Sequence, residues 1–290
     1  MGTLYLVSTP IGNLGDLTRR AAETLGSVSR ILAEDTRRTR KLLSHLGLST
    51  PLVSLHAHNE ASRQAAVLGW LSMGEDLALV SDAGTPLVSD PGGRVVEAVL
   101  EGGFTVVPIP GPSAVLAALV ASGLPSERFS FLGFLPRKGS ERAELLERIA
   151  SSPETTVLFE SPERTGALLG ALAERCGPRR RAAMARELTK IHEEIVRGTL
   201  GVLRDRFAEA SPRGEVTLVV EGAPPGEGTV EADEAAARAL AGALLGEGMA
   251  PSRVAREVAR RLKLPRNRAY QVVQDLSKVN GDPGGTEGDG

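Results

Sequence analysis

The chain has 290 residues, of which 41% are hydrophobic and 24% are charged, a balance typical of a soluble globular protein with about two domains. The formal net charge is −2, and the single cysteine, Cys176, excludes a disulfide framework and a multi-cysteine metal site. The four histidines lack metal-ligand spacing and the amino terminus shows no signal-peptide pattern. We therefore expect a cytoplasmic protein with no bound metal and no membrane partner.

Short apolar runs alternate with helical patterns over residues 1–222, which predicts an α/β protein with βαβ units and a largely parallel sheet. A join is expected at the Gly- and Pro-containing stretch 122–125, which gives an amino-terminal domain of residues 1–122 and a second domain of residues 123–222. The expected strands are residues 4–8, 30–33, 77–81, 105–109, 129–132, 156–160, 182–185 and 216–221. The expected helices are residues 18–25, 36–46, 60–73, 94–100, 113–121, 140–149 and 164–174.

The loop of residues 81–93 follows the apolar run 77–80 and is the most informative segment. Its three glycines let a ligand approach the backbone, and its two prolines keep the loop stiff before anything binds. Asp82 could accept hydrogen bonds from ribose hydroxyls or an ammonium group. Asp90 and Pro91 predict an N-cap and a first-turn proline for the following helix. The alternative is that both aspartates only cap turns.

Two further loops have the same strand, stiff loop and helix order. Residues 8–18 follow the first expected strand, and residues 108–114 hold three prolines and a glycine after another. Because the carboxyl ends of parallel strands meet at one edge of a sheet, the three loops are expected to converge on one crevice. Neither GxGxxG nor a Walker P-loop occurs, so the usual dinucleotide and nucleoside-triphosphate fingerprints are absent.

Charged residues follow several of the expected strands. The segment 34–38 brings acids and guanidinium groups to the same sheet edge. In the second half, Arg186, Lys190 and the arginine run 179–181 could hold phosphates. Surface salt bridging is the alternative for each of them.

The carboxyl-terminal part predicts a separate basic module. Residues 222–228 resemble a linker, an Ala-rich helix is expected at 231–245, and two basic helices follow across a Leu264-Pro265 break. Residues 251–280 contain six arginines and two lysines against Glu257 and Asp275, a pattern that resembles a helix-turn-helix. A solvated basic face on an ordinary helical hairpin is the alternative. The module is assigned to residues 223–280, and the tail 281–290 is expected to be disordered.

Together these motifs resemble the tetrapyrrole-methylase-fold family of S-adenosylmethionine methyltransferases, over about residues 1–222. The motifs match closely one branch of this family, which methylates the ribose 2′-hydroxyl of a decoding-centre cytidine in 16S ribosomal RNA. The segments that carry the resemblance are residues 9–14, 33–37, 81–86, 110–114, 133–136, 160–162 and 186–190.

The resemblance implies two α/β domains with S-adenosylmethionine bound in the cleft between them. It also implies a 16S ribosomal RNA partner, within the small ribosomal subunit, and a homodimer. The residues expected to bind the cofactor are Pro10, Ser81, Asp82, Ala83, Gly84, Thr85, Pro86, Pro110, Ser113, Ala114, Phe159, Glu160, Met184 and Ala185.

Methyl transfer from a sulfonium to a ribose oxygen needs mainly alignment, with a base to take the hydroxyl proton. Glu34, Asp35 and Glu187 are the candidate bases, and Arg186 or Lys190 could orient the ribose-phosphate or stabilise the alkoxide. The residues expected to bind RNA are Arg37, Arg38, Arg186, Arg253, Arg261, Arg266 and Arg268.

Two other functions remain open at this point. A porphyrinoid C-methyltransferase of the same fold would need an apolar pocket rimmed by arginines and has no use for a basic carboxyl-terminal hairpin. A non-catalytic RNA-binding protein of ribosome assembly would leave the cofactor loops empty.

Overall fold

The computed structural model describes residues 1–208, 212–224, 230–262 and 266–279, without the side chains of 230–235, 266–268 and 277–279. The chain divides into two compact units, residues 1–222 and 223–290. None of the helices within the described ranges is long and apolar enough to cross a membrane.

The first half of unit 1 is a parallel sheet flanked by helices. Its five strands have the order β3-β2-β4-β1-β5, and every neighbouring pair is parallel. The strands are β1 (Thr3–Val7), β2 (Arg30–Ala33), β3 (Leu52–Ser54), β4 (Leu77–Val80) and β5 (Thr105–Ile109). The helices are α1 (Arg19–Ser27), α2 (Thr36–His45), α3 (Glu60–Ser72), α4 (Gly93–Glu101) and α5 (Ala114–Ser122).

The centre of this sheet explains why its strands appear in the sequence as short apolar runs. All four residues of β4 are buried, as expected for a parallel strand with helices on both faces. From β1 the chain moves to one side of the sheet through β2 and β3, returns at β4, and then crosses to β5 on the other side. The loops after β1 and β4 therefore lie side by side at the switch point, where α/β proteins bind ligands.

The second half of unit 1 is a mixed sheet with the order β6-β7-β10-β8-β9. Its strands are β6 (Phe129–Phe134), β7 (Thr155–Glu160), β8 (Arg181–Arg186), β9 (Glu194–Thr199) and β10 (Val216–Val220). Its helices are α6 (Ser140–Ser151), α7 (Pro162–Cys176) and α8 (Leu200–Arg206).

The expectation of a largely parallel sheet is wrong for this second half. Strands β6 and β7 are parallel, but β10 pairs antiparallel with both β7 and β8, and β9 pairs antiparallel with β8. The βαβ pattern correctly implies that β7 and β8 run in the same direction. It cannot show that β10, distant in sequence, inserts between them.

Two strands and one α-helix of unit 1 are not predicted by the sequence patterns. Strand β3 has only three residues, all half-buried, and so gives no apolar run. Strand β9 lies at the sheet edge and carries Glu194 and Arg197, so its sequence resembles a charged loop. Helix α8 has seven residues and begins where the Thr199 hydroxyl accepts a hydrogen bond from the Val202 amide.

Helix α5 joins the two halves of unit 1 through a shared core. Its buried residues Val115, Ala118 and Leu119 pack with side chains from one face of the second sheet, including Val157 and Val219. The other face of that sheet packs against side chains of α6, α7 and α8. The α/β fold class predicted from the sequence is confirmed, with both sheets inside one compact unit.

Unit 2 is a bundle of three helices, α9 (Val230–Gly246), α10 (Pro251–Arg261) and α11 (Arg266–Val279). Ala237, Val254, Val258 and Val272 lie in its core. The Ala-rich helix and the two basic helices are present as predicted. The expected break at 264–265 and the tail 281–290 lie outside the described residues, as does most of the expected linker.

Candidate active site

The three loops that follow β1, β4 and β5 are tied together by hydrogen bonds. The amides of Thr9 and Gly84 each donate to the carbonyl of the other at 2.9 Å, and the Thr9 hydroxyl donates to the Ser81 carbonyl at 3.3 Å. The Thr85 hydroxyl donates to the Pro112 carbonyl at 3.3 Å. The predicted convergence of the loops at one sheet edge is therefore present in the structure.

The loop after β4 has an unusual backbone conformation. Gly84 has a φ of 79°, and Leu87 and Ser89 have φ values of 71° and 68°, a region that non-glycine residues rarely adopt. Gly92, with a φ of 121°, is the N-cap of α4. The predicted N-cap at Asp90 is therefore wrong, because the helix begins two residues later than the Asp-Pro pattern indicates.

The loops open on a cavity of about 390 Å³ between the two sheets of unit 1, a volume in the range of small-molecule sites. From the first half its wall includes Ile11 and residues 82–85, 88–90 and 113–115. From the second half it includes Phe134 and residues 159–162 and 214–217. The wall combines apolar side chains with a few carboxylates.

Glu160 provides a buried acceptor on this wall. It is 2% exposed, its Oε1 accepts a hydrogen bond from the Ser161 amide at 2.8 Å, and its Oε2 lies 3.1 Å from Arg164 Nη2. That second contact is outside hydrogen-bond geometry, so Oε2 has no hydrogen-bond donor among the described residues. A buried acceptor without a donor is suited to a ligand hydroxyl or amine.

Three carboxyl groups lie close together at the switch point. Burial, followed by the charges of Asp82 and Asp90, raises the pKa of Glu34. Burial and the charge of Asp82 also raise the pKa of Asp90, against a hydrogen bond with Ser81 that lowers it. Asp82 and Asp90 line the cavity, and Glu34 lies beside them without forming part of its wall. A carboxyl with a raised pKa in such a cluster is suited to accept a proton.

Asp35, in contrast, caps a helix and pairs with an arginine. It is the N-cap of α2, where its Oδ1 accepts a hydrogen bond from the Arg37 amide at 2.9 Å. The Arg37 guanidinium binds both carboxylate oxygens and holds the pKa of Asp35 well below its usual range. The Asp35 amide donates to Asp82 Oδ1 at 3.0 Å, and Asp82 also pairs with Arg38 at 3.4 Å.

Glu187 and Lys190 belong to a second charged cluster, in the loop between β8 and β9. Lys190 Nζ donates to Glu187 Oε1 at 2.8 Å and to Glu215 Oε2 at 3.2 Å. The first bond lowers the pKa of Glu187, and the two together raise the pKa of Lys190 although burial opposes them. Glu215 lines the cavity, whereas Glu187 and Lys190 do not.

Glycine is required at two positions around this cluster. A Cβ at Gly12 would overlap Lys190 Cγ and lie 2.8 Å from Thr189 Oγ1, so the loop after β1 touches the 187–190 segment directly. A Cβ at Gly214 would overlap the carboxylate of Glu187. The Thr189 hydroxyl is buried at this contact without a hydrogen-bond partner in the described residues.

The predicted cofactor residues fall into two groups. Asp82, Ala83, Gly84, Thr85, Ser113, Ala114, Phe159 and Glu160 line the cavity, while Pro10, Ser81, Pro86, Pro110, Met184 and Ala185 do not. Met184 packs in the core on the face of the sheet opposite to Ala185, because neighbouring residues of a strand point to opposite faces. Pro10 and Ser81 line an adjacent cavity of about 180 Å³.

The predicted RNA-binding arginines are in different environments. Arg37 and Arg38 are exposed beside the acidic loop residues that they pair with. Arg186 is half-buried and bonds Glu194 at 2.6 Å, and Arg261 shares Glu257 with Arg260. Arg253 is exposed. The side chains of Arg266 and Arg268 lie outside the described residues.

The sequence analysis does not identify several residues of the wall. Phe134, Glu215 and Val216 reach the cavity from elements far apart in the chain, whereas Ile11 and Val88 belong to the predicted ligand loops but are not singled out there. Residues 133–136 enter the sequence analysis only as part of the resemblance, and the single phenylalanine between a glycine and a leucine-proline pair is the signal that could have found Phe134. No group of three or more His, Cys, Asp or Glu side chains is arranged to hold a metal ion in the described part of the chain.

Comparison with known proteins identifies the family. The family model of the tetrapyrrole (corrin/porphyrin) methylases matches residues 3–204. Uroporphyrin-III C-methyltransferase from Thermus thermophilus, solved with S-adenosyl homocysteine, has the same fold, with a TM-score of 0.55 at 20% identity over 76% of this chain and 97% of that one. The chain belongs to the tetrapyrrole methylases, a family of methyltransferases.

Within this family the chain is similar over nearly its full length to proteins named ribosomal RNA small subunit methyltransferase I. The one from Synechocystis sp. is 46% identical over 276 residues, covering 95% of this chain and 99% of its own length. The one from Xylella fastidiosa strain Temecula1 is 47% identical over 275 residues, covering 93% of this chain and 98% of its own.

Proposed function

We propose that this protein transfers the methyl group of S-adenosylmethionine to the ribose 2′-hydroxyl of a decoding-centre cytidine in 16S ribosomal RNA. The observation that carries the proposal is the cavity at the switch point, in a chain similar over nearly its full length to small subunit rRNA methyltransferases. The methyl donor fits this site, because apolar walls suit its adenine and Glu160 Oε2 is a buried acceptor without a donor among the described residues.

Several residues would hold the donor. Its amino and hydroxyl groups are matched by the carboxylates of Asp82 and Glu160, and the bend at Gly84 allows a close approach to the backbone. When bound, S-adenosylmethionine supplies an already activated methyl group on a sulfonium centre. The hydrogen bonds that tie the three loops keep this wall in place before binding, so alignment costs little.

Glu34 is the base that the structure favours among the three candidates. A ribose hydroxyl becomes a better nucleophile as its proton is removed, and a carboxyl with a raised pKa is the better acceptor. Asp35 is held ionised by Arg37, and Glu187 by Lys190, so both accept a proton less readily. Lys190 is held in place by Glu187 and Glu215. We assign it to stabilise the negative charge that develops on the ribose 2′-oxygen.

RNA would bind through cationic side chains on both units. Few aromatics are available for stacking, so phosphate contacts and shape should dominate, with a strong salt dependence. A homodimer, suggested by the resemblance, remains part of the proposal. Exposed Leu116 and Val120 on α5 offer an apolar face for it, and analytical ultracentrifugation tests it.

The deciding experiment supplies the purified chain with labelled S-adenosylmethionine and small ribosomal subunits that lack the modification. We expect one methyl group, located by mass spectrometry on the 2′-oxygen of a decoding-centre cytidine. Labelling of a precorrin-type substrate instead would favour the porphyrinoid alternative. Absence of donor binding in calorimetry, with RNA binding retained, would favour a non-catalytic assembly protein.

A further inference from the structure

A further cavity, of about 400 Å³, lies beside the candidate active site. Arg137, Arg142, Arg164 and Glu163 line it, with Ser161 and Ala167. Ser161 also lines the cavity of about 390 Å³ at the switch point, called the donor cavity below, so the two cavities adjoin at the beginning of α7. Three of the four charged residues of this further cavity are arginines, whereas the charged residues of the donor cavity are four carboxylates and Arg38.

The loop that connects β6 to α6 is shaped to form this cavity. The pairing of β6 with β7 shifts register between Phe131 and Phe134, and Gly133 in the shift has a φ of 63°. Arg164 Nη2 donates to the Leu135 carbonyl at 2.6 Å, and Arg142 Nη1 donates to the Pro136 carbonyl at 3.0 Å. Two of the three arginines therefore hold the loop as well as line the cavity.

The charges of the three arginines are only partly balanced. Arg164 lies 3.1 Å from Glu160, so its charge is largely neutralised. Glu163 is exposed on the same wall and makes no ion pair with any described residue. Arg137 is exposed, and neither Arg137 nor Arg142 has an ion-pair partner in the described ranges. A strongly charged group with free donors in a concave site is suited to an anionic ligand.

Phe134 lines the donor cavity and comes three residues before Arg137, which lines the adjoining cavity. It precedes the arginine loop, is 55% exposed and lies on the wall of the donor cavity, with its ring centroid 5.6 Å from that of Phe159. The exposed face of a phenyl ring at the edge of a ligand cavity is a surface on which a nucleic-acid base can stack.

We propose that the cavity of Arg137, Arg142 and Arg164 binds a backbone phosphate of the acceptor RNA next to the methylated nucleotide, whose base stacks on Phe134. This subsite rests on the proposed function, since it deepens the acceptor side of the same reaction. A guanidinium fork matches the two free oxygens of a phosphodiester. A phosphate held in the cavity next to the donor restrains the adjoining ribose, because the two are linked through the RNA backbone. Arg137 is the residue assigned to phosphate alone, because it bonds nothing else in the described structure.

The test uses the full chain with Arg137→Gln, which removes the charge from an exposed side chain that has no structural partner among the described residues. We expect the KM for small subunits to rise about tenfold, and the slope of log Kobs for RNA against log salt to become shallower by about 0.7, as expected when one phosphate is no longer neutralised. The kcat and the affinity for S-adenosylmethionine should stay unchanged. Arg148→Gln, an exposed position near the other end of α6, is the matched control.

Phe134→Leu tests the stacking separately and is expected to raise KM by about tenfold without changing the salt slope. Wild-type KM and salt slope in Arg137→Gln would overturn the subsite, as would a loss confined to donor affinity. The proposed function can be disproved independently of the subsite. If the wild-type chain binds the RNA with a salt slope that Arg137→Gln reduces, but methylates no ribose, the subsite stands and the proposed reaction is wrong.

Discussion

Glu34 and Asp35 are neighbours in the chain with opposite electrostatic surroundings. Burial and two acidic neighbours act on Glu34, whereas a helix amide and a guanidinium stabilise the ionised form of Asp35. The sequence presents them as equivalent carboxylates. Their different chemistry comes from which groups the fold places around each of them.

Replacing Glu34 with Gln is expected to lower kcat by about a hundredfold or more, because the proton acceptor is removed. On the acid side, wild-type kcat/KM should rise with pH as Glu34 loses its proton, with a midpoint above the ordinary carboxyl value. In the Glu34→Gln variant, kcat/KM should not show this rise with pH. Single-turnover methylation across a pH series measures both.

Thermal unfolding provides the control for this variant. Since burial, and then the charges of Asp82 and Asp90, destabilise the ionised form of Glu34, the amide should leave the melting temperature unchanged or raised at neutral pH. Asp35→Asn should show the reverse pattern, with lower stability and nearly normal kcat. Full single-turnover activity in Glu34→Gln would exclude Glu34 as the base.

Gly214 and Gly74 separate two reasons why a position requires glycine. Their φ values are 82° and 85°, but a Cβ at Gly214 would overlap Glu187 while one at Gly74 would meet nothing within 4 Å. Gly74→Ala should cost about 1 kcal/mol from backbone conformation alone. Gly214→Ala should cost clearly more and reduce activity as well, measured by urea unfolding and methylation. Equal costs would show that the contact with Glu187 adds nothing.

At the scale of elements, the site depends on loops from two sheets that meet without any strand pairing between them. Helix α5 packs on the second sheet, and the loop after β1 touches the segment 187–190. The position of Lys190 relative to the donor loops is therefore set by this contact and by the α5 packing.

Gly12→Ala is expected to displace the segment 187–190, because its Cβ would overlap Lys190 and crowd Thr189 and Leu188. Activity should fall at least about tenfold, a size typical of small misplacements in an active site. Gly15→Ala, in the same loop, meets only the Asn13 side chain, with its oxygen at 3.1 Å, and should retain near-normal activity. The idea fails if the two variants are equally active.

At the scale of the whole molecule, exposed cationic side chains occur on both compact units, and the proposed function assigns them to RNA binding. On α10, Arg260 and Arg261 both pair with Glu257 and lower its pKa to about 2. Part of their positive charge is therefore balanced within the helix. Arg253 and Arg256 are exposed on the same helix and make no ion pair with other described residues.

The double variant Arg253→Gln/Arg256→Gln should weaken RNA binding and make its salt dependence shallower, by about 0.7 for each phosphate that is no longer neutralised. Donor affinity should not change. Arg20→Gln/Arg148→Gln, with two exposed arginines of unit 1, is the control for total charge. Filter binding over a salt series measures the slopes. Identical slopes for the two double variants would show that these arginines of unit 2 do not contribute to RNA binding.

The sequence by itself determined the α/β class, most of the strands and helices, the three ligand loops and the basic helices of unit 2. These features are local, because short apolar runs, glycines, prolines and charge density act over a few residues. Even the contact between the loops could be inferred, since parallel strands end at one edge of a sheet.

Only the tertiary structure decided the rest. It inserted β10 between β7 and β8, brought Glu215 to Lys190, left the Met184 side chain in the core, and placed Arg137, Arg142 and Arg164 beside the cavity at the switch point. Each of these depends on residues far apart in the chain. Their proximity is set by strand order and helix packing over the whole of unit 1, which no local pattern specifies.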